Sequence, residues 1–159
     1  MKIGIISDTH DNMPMLQRAV ELLNARKVGH VIHAGDFASP FTFRALKHLI
    51  CNFTGIYGNN DGERVLLQQI SQQRIFTQPY ILELAGRKIV IMHEHHVVDA
   101  LADSGHFDLV VYGHTHEPDM RKRGNTLIVN PGELGGWLYG RSTLALADLS
   151  TLSAELIEL

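Results

Sequence analysis

The sequence predicts an α/β fold with a parallel sheet in its first half and a second, strand-rich layer in its second half. Up to about residue 70, short apolar runs alternate with amphipathic helical patterns, which is typical of parallel βαβ units. Beyond that point most apolar runs follow one another through short turns, as in β-hairpins. We therefore expect a second sheet packed on the first, within a single domain of residues 1–159.

The first half begins with a strand from Ile3 to Ile6, a continuous apolar run of the length expected for a strand buried on both faces. Asn12 is suited to cap the following helix, with Pro14 in its first turn. Gly29 ends this helical segment, and the same two patterns then predict strands at 31–34 and 52–57 and helices starting at Ser39 and after Asp61. The side chains expected on the buried helix faces are Leu16, Ala19, Val20 and Leu23, then Phe43, Leu46 and Ile50, then Val65, Leu66 and Ile70.

The second half is predicted to be mostly strand. Residues 80–84 and 88–92 read as a hairpin around Gly86, and residues 119–123 and 126–129 as another around Gly124. A short helix over 97–102 and a strand over 109–112 lie between them. The sequence 130–132 forces a turn, and the final predicted strands are 143–149 and 154–159.

Composition excludes several classes of protein. The 45% apolar and 19% charged content is ordinary for a globular chain, and the net charge of −3 gives no overall attraction to nucleic acid or anionic membranes. Cys51 is the only cysteine, so no internal disulfide can form, and no apolar stretch approaches membrane-spanning length. We expect a cytoplasmic protein without membrane contact. The basic run Arg121-Lys122-Arg123 is interpreted as a solvated hairpin arm, with an anion-binding role as the alternative.

Polar clusters follow five of the predicted strands. Loops at the carboxyl ends of strands in open α/β sheets converge on a crevice where ligands bind. Asp8 and His10 stand two residues apart, so in an extended segment both side chains would point the same way. The five clusters are Asp8/His10, Asp36, Asn59/Asn60/Asp61, His93/His95/His96 and His114/His116.

Four imidazoles, two carboxylates and an amide from these clusters would be enough donors for two adjacent metal sites with one shared carboxylate. Nitrogen and oxygen donors without sulfur favour Mn, Fe, Zn, Ni or Co. Two metals about 3.5–4 Å apart can clamp the attacking and departing oxygens of an in-line displacement. The alternative for Asp36 and Asn59 is ordinary turn chemistry, and for the histidines a structural role, as we expect for His30, His33, His48 and His106.

Five motifs of this sequence resemble, in order, those of the calcineurin-like metallophosphoesterases. They are Asp8-x-His10, Gly35-Asp36, Gly58-Asn59-x-Asp61, His93 and Gly113-His114-x-His116. The small stand-alone bacterial and archaeal phosphodiesterases of that superfamily are the most similar. The resemblance implies a four-layer αββα sandwich with two mixed β-sheets flanked by helices. It also implies that Asp8, His10 and His116 hold one metal, that Asn59, His93 and His114 hold the other, and that Asp36 bridges them.

The implied activity is metal-dependent hydrolysis of a small phosphodiester or another phosphate ester, with a bridging hydroxide attacking phosphorus in line. The cofactors would be two divalent transition metal ions, with Mn²⁺ as the first choice and Ni²⁺, Zn²⁺, Fe²⁺ or Co²⁺ as alternatives. Nucleic acid is expected only as a substrate. A homo-oligomer is compatible with the sequence, and neither the substrate nor the oligomeric state follows from it.

Three positions depart from the pattern of the family. Asn60 stands where many members have a histidine, although the small stand-alone subgroup often lacks it. The general acid therefore stays open between His95 and a metal-bound water. We expect Asn60 and His95 to contact the substrate. We expect Asp61 to orient a metal ligand or to cap the next helix. Glu94 replaces a glycine, and Glu133 follows Pro-Gly where the subgroup often has serine. Trp137 and Tyr139 fit a pocket mouth, an interface or the core.

The main alternative function is a non-catalytic interaction scaffold on the same fold, like the retromer subunit that resembles these enzymes. Scaffolds of that kind carry substitutions at the ligand positions. Here every position expected to bind metal keeps a competent donor, which favours the enzyme.

Overall fold

The computed structural model describes all 159 residues, and it has two β-sheets packed face to face with helices on both outer sides. The predicted four-layer αββα sandwich with two mixed sheets is thereby confirmed. No helix is both long and apolar enough to cross a membrane.

The first sheet has six strands, and its centre is the parallel unit predicted for the first half. Its strands in chain order are β1 (Lys2–Ile6), β2 (His30–His33), β3 (Asn52–Ile56), β4 (Ile75–Phe76), β10 (Thr143–Asp148) and β11 (Ser153–Glu158). Their spatial order is β11-β10-β1-β2-β3-β4, with β1 to β4 parallel and β10 antiparallel to both of its neighbours.

The second sheet has five strands and contains both predicted hairpins. These strands are β5 (Tyr80–Leu84), β6 (Arg87–Ile91), β7 (Leu109–Val111), β8 (Asp119–Arg123) and β9 (Thr126–Asn130). In the order β5-β6-β7-β9-β8, the three inner strands are parallel and the two edges antiparallel. The hairpins pair Leu84 with Arg87 and Arg123 with Thr126.

Four α-helices and one 3₁₀ turn connect the strands. They are α1 (Met13–Ala25), the 3₁₀ turn Pro40–Thr42, α2 (Phe43–Leu46), α3 (Arg64–Ile70) and α4 (Val98–Asp103). The Asn12 side chain accepts the N–H of Met15 at 3.3 Å, as a capping residue should.

Burial of apolar side chains on both faces of the central strands holds the four layers together. Ile3 and Ile5 of β1 pack between the sheets with Ile89 and Val111 of the second sheet. Ile6 points the other way, into the cluster beneath α1 and α2. On the opposite outer face α4 covers the second sheet through Val98 and Ala102. The order of layers follows from these three clusters.

Several expectations about the helices are wrong. Ile50 is 77% exposed because α2 ends at Leu46 and the chain then turns toward β3. On α3 the predicted face of Val65, Leu66 and Ile70 is exposed, and Leu67 is the buried residue. The two-residue strand β4 was not predicted, because so short a segment has no detectable periodicity.

Candidate metal centre

The predicted ligands lie on loops at one edge of the molecule. β1, β2 and β3 are parallel neighbours in the first sheet, and β6 and β7 are parallel neighbours in the second. The loops leaving their carboxyl ends are therefore on the same side of each sheet, and face-to-face packing brings the two sets together. All five polar clusters fall on these loops.

The loop from Asp8 to Asp11 is not extended, contrary to the expectation from its spacing. Asp8, His10 and Asp11 have φ values of 52°, 40° and 56°. The loop lies along the one after β2: Asp8 N–H donates to the carbonyl of Gly35 at 3.0 Å, and His10 N–H to that of Asp36 at 3.2 Å. A tight turn, rather than strand alternation, directs both side chains to the same point.

Left-handed backbone conformation is common to most of the predicted ligands. Non-glycine residues with positive φ are uncommon, and they concentrate at functional sites where the surrounding structure enforces them. The ligands in this conformation are Asp8 (52°), His10 (40°), Asp36 (60°), His114 (69°) and His116 (61°). The strain thus coincides with the residues selected for their chemistry.

Asp8, His10 and His116 form the first group that could hold a metal ion. Asp8 Oδ1 lies 3.8 Å from His10 Nε2 and 3.4 Å from His116 Nε2. Asp8 is fully buried, and neither its Oδ1 nor His10 Nε2 has a hydrogen-bond partner. Buried polar atoms without a partner are costly, and a cation bound between them would satisfy both.

A second group surrounds Asp36 and includes Asp8 and His93. Asp36 Oδ2 lies 3.4 Å from His93 Nε2 and 3.6 Å from His10 Nε2. The Oδ1 atom of Asn59 lies 2.9 Å from both His93 Nε2 and His114 Nδ1. All seven predicted ligands therefore belong to one connected cluster.

The tautomer of His93 shows why this second group fits a cation. Its Nδ1 lies 2.8 Å from the carbonyl of Ala34, which only accepts, so Nδ1 carries the proton. In the neutral ring Nε2 then directs a lone pair at the oxygens of Asn59 and Asp36. A second proton or a metal ion would remove this repulsion, and the fixed tautomer is typical of metal-binding histidines.

The charges in the cluster shift the pKa values of its members. Burial alone would raise the pKa of Asp36, but the contact with His93 and hydrogen bonds from Asn60 outweigh it and hold the pKa well below its ordinary value. Burial raises the pKa of Asp8. For His93, burial opposes the charged ring, yet Asp36 and Asp8 raise its pKa. The carboxylates thus favour positive charge at this position.

Two glycines leave room for the carboxylates. A Cβ on Gly58 would overlap Asp36 Oδ1, and a Cβ on Gly113 would overlap Ser7 Oγ and lie 2.7 Å from Asp8 Oδ2. Any side chain at these positions would displace a predicted ligand. Both glycines belong to the sequence motifs of the predicted site, and this steric requirement explains why glycine stands there.

Asp61 and Asn60 both act on Asp36. The buried carboxylate of Asp61 accepts the backbone N–H groups of Asp36 at 3.1 Å, Ala38 at 2.9 Å and Gly58 at 2.7 Å. It therefore fixes the loops after β2 and β3 to each other and does not cap α3. Asn60 donates to both oxygens of Asp36. Its expected contact with substrate stays a prediction.

Glu133, which departs from the family pattern, lies directly behind one of the predicted ligands. It is 1% exposed, and its Oε2 lies 3.3 Å from His116 Nδ1, the ring atom opposite the one facing Asp8. Its two oxygens also accept the N–H groups of Trp137 at 2.8 Å and Leu138 at 3.1 Å. The glutamate, in place of the serine that the resemblance leads us to expect, was the available signal, but its partner lies 17 residues away in sequence.

The other candidate residues lie at the rim or outside the cluster. His95 is exposed and stacks on the ring of His114 with centroids 5.9 Å apart, and His96 packs against His95. Trp137 is 64% exposed beside the loop of His10. Arg121 and Arg123 are ion-paired with acidic side chains, including Asp99 and Asp103. This pairing agrees with the solvated-arm interpretation.

Comparison with known proteins agrees with the geometry. Phosphodiesterase MJ0936 of Methanocaldococcus jannaschii is 41% identical over 154 residues, covering 93% of each chain. A solved structure of an archaeal phosphodiesterase superposes with a TM-score of 0.93 at 39% identity, covering both chains completely. Wild-type Vps29 of Entamoeba histolytica, solved with Zn²⁺, gives a TM-score of 0.73 at 20% identity, covering 100% of this chain and 98% of Vps29. The last similarity establishes the fold alone.

The match to a protein family extends over nearly the whole chain. A profile of the calcineurin-like phosphoesterase superfamily domain matches residues 1–152, which include every predicted ligand. With the ligand cluster at the expected strand ends, the protein belongs to the calcineurin-like phosphoesterase superfamily.

Proposed function

We propose that this chain is a phosphodiesterase that binds two divalent transition metal ions at the cluster and hydrolyses small phosphate esters. Mn²⁺ is the preferred ion, with Ni²⁺, Zn²⁺, Fe²⁺ and Co²⁺ as alternatives. One ion would be held by Asp8, His10 and His116, the other by Asn59, His93 and His114, with Asp36 shared. Residues 1–159 would act as one domain. The cytoplasmic location and a homo-oligomeric state stay predictions.

One observation supports the shared site most directly. Asp36 Oδ2 faces His10 Nε2 at 3.6 Å and His93 Nε2 at 3.4 Å, and these histidines belong to different proposed ligand sets. A carboxylate placed between two sets of donors is suited to bridge two cations. Despite burial, the contacts with His93 and Asn60 hold the pKa of Asp36 well below its ordinary value, which favours the ionised carboxylate that a cation needs.

When bound, the two ions would supply Lewis acidity and a water of lowered pKa for in-line attack on phosphorus. The protein's own contribution is mainly positioning. The side chain of Asn60 orients Asp36, and the carbonyl of Ala34 orients His93. His95, exposed on the ring of His114, is the proposed donor of a proton or hydrogen bond to the substrate.

The test begins with protein stripped by a chelator and assayed with bis(4-nitrophenyl) phosphate. We expect activity to disappear and then to return on addition of Mn²⁺, with other divalent ions compared in parallel. Failure of every ion to restore hydrolysis would refute the proposal and favour the scaffold alternative. Metal analysis of the untreated protein should find two ions per chain, since the ligand groups are complete.

A matched pair of variants tests the shared carboxylate. Asp36→Asn keeps the shape of the side chain but removes its charge, so we expect a loss of at least about a hundredfold in kcat/KM and fewer than two ions per chain. The control is Asp148→Asn, which alters a carboxylate that pairs with the N-terminus and is not part of the cluster. This variant should keep its turnover and its two ions per chain. Near-wild-type turnover of Asp36→Asn would exclude the bridging role.

A further inference from the structure

A run of three large apolar side chains is exposed next to the metal centre. Trp137, Leu138 and Tyr139 are 64%, 66% and 56% exposed, and they follow Glu133 on the loop between β9 and β10. Exposed large apolar groups are ordinary when single. Three consecutive exposed apolar side chains beside a polar site instead indicate a surface that binds something.

This loop is fixed to the residues that would hold metal. Glu133 accepts the N–H groups of Trp137 and Leu138 and faces His116. Gly135 N–H donates to the carbonyl of Asp8 at 2.9 Å, and the amide of Asn12 donates to the carbonyl of Gly135 at 2.6 Å. The position of the loop relative to the cluster is therefore set by several hydrogen bonds.

The indole ring of Trp137 is itself held in place. Its Nε1–H donates to the carbonyl of His10 at 3.2 Å. A Cβ on Gly135 would lie 2.9 Å from Trp137 Cδ1, so glycine at 135 allows the ring to lie close over the backbone. Because the polar N–H is already paired, the exposed part of the side chain is an apolar aromatic surface, pre-organised for stacking.

We propose that Trp137 forms a subsite that stacks on a planar aromatic group of the ester substrate, such as an aryl group or a nucleobase. The inference rests on the proposed phosphodiesterase function, because a phosphorus atom held at the metal centre directs its ester groups toward the surrounding rim. The ligand cluster consists of imidazoles, carboxylates and an amide, whereas Trp137 offers an aromatic face within hydrogen-bonding distance of the His10 backbone.

The first experiment uses phenylphosphonate and ethylphosphonate, which share a phosphonate head group and cannot be hydrolysed at phosphorus–carbon. Trp137 is the only tryptophan, so its fluorescence reports directly on the proposed subsite. In the Mn²⁺-loaded protein we expect phenylphosphonate to change this fluorescence on binding and ethylphosphonate to change it far less. Equal fluorescence changes, or none with either probe, would overturn the subsite.

The second experiment measures inhibition of diester hydrolysis by the same two probes. Because Trp137→Ala removes the ring that would stack on the phenyl group, it should raise the inhibition constant of phenylphosphonate about tenfold. That of ethylphosphonate should stay unchanged, and Trp137→Phe should recover part of the loss. Leu138 is similarly exposed but has no aromatic ring. The control variant Leu138→Ala should therefore match the wild type with both probes.

Other outcomes separate the subsite from its alternatives. If Trp137→Ala weakens both probes equally, the residue has no aromatic preference and the inference is wrong. If the variant instead changes the molar mass measured by light scattering, the apolar run covers a second copy of the chain, and the subsite is again excluded. If the wild type hydrolyses no diester with any metal, the proposed function fails, while the fluorescence comparison still decides the subsite by itself.

Discussion

Asn60 binds both carboxylate oxygens of Asp36: its backbone N–H donates to Oδ1 at 2.8 Å and its side-chain amide to Oδ2 at 2.7 Å. In this chain the asparagine uses its side-chain amide to fix the carboxylate shared by the two proposed metal sites. Asn60 is thus a positioning residue in the structure, whatever its contact with substrate.

Asn60→Ala should weaken metal binding. The variant loses the bond to Oδ2 but keeps the backbone bond to Oδ1, so Asp36 becomes less restrained rather than displaced. Loss of a group that orients a ligand typically costs 10–100-fold in metal affinity, and we expect about tenfold by competition with a chelator. Asn125→Ala, in the β8–β9 turn, is the control. Identical affinities for both variants would show that the backbone bond alone is sufficient.

Glu133→Gln should impair the site of Asp8, His10 and His116. The carboxylate has acceptors toward His116 Nδ1 and two backbone N–H groups, whereas one end of a glutamine amide only donates. We expect metal affinity to fall at least about tenfold and the fluorescence of Trp137 to change, because both depend on this side chain. Glu155→Gln, on exposed β11, should alter neither. An unchanged dissociation constant would contradict the role assigned to Glu133.

His33 should make stability fall in acid. Burial lowers its pKa from 6.5 to about 3, and Nδ1 accepts the N–H of Gly35 at 3.2 Å while Nε2 contacts Thr9 Oγ1 at 3.1 Å. The unfolded chain binds a proton near pH 6.5 and the native state only near pH 3. The contribution of neutral His33 is therefore complete above pH 6.5 and is lost as the pH falls toward 3.

The measurement compares urea unfolding of wild type and His33→Gln at a series of pH values from 4 to about 7. As the pH is lowered through this range, the free energy of unfolding of the wild type should fall more steeply than that of His33→Gln, by up to about 1.4 kcal/mol per pH unit. The slopes, not the absolute stabilities, carry the test. Parallel slopes would mean that His33 is protonated equally in both states.

Leu67→Ala and Val65→Ala should differ sharply, although both residues lie on α3. Leu67 is fully buried, while Val65 is 76% exposed. Truncating a buried leucine typically costs about 2–5 kcal/mol, whereas an exposed substitution stays within about 0.5 kcal/mol. Chemical denaturation of the two variants checks the difference. Equal losses would indicate that α3 packs through the face first expected from its sequence.

The prediction failed on α3 and α2 for a physical reason. In a helix of seven residues, two or three apolar positions fit several faces equally well, so periodicity cannot choose between Val65 and Leu67. Packing against α2 and the first sheet decides which one is buried. The first helix is long enough for its pattern to be unambiguous, and Leu16, Ala19, Val20 and Leu23 are all buried as predicted.

The role of Glu133 could not be predicted because it depends on a contact across 17 residues of sequence. The conformation of the loop from Asp8 to Asp11 was missed for the same reason, since its hydrogen bonds go to the loop after β2. Strand spacing assumes a free extended segment, but backbone partners on the neighbouring loop impose left-handed φ values on Asp8 and His10.

The sequence by itself determined the parallel βαβ character of the first half, the strand-rich second half and the identity of the residues that gather at one edge. It could do so because apolar runs, turn residues and polar strand ends are local properties of the chain. Only the tertiary structure decided that Asp36 faces His10 and His93 together, that Asn60 fixes it, and that Trp137 lies over the loop of His10. Those relationships depend on how two sheets pack, and packing is set by contacts between residues distant in the sequence.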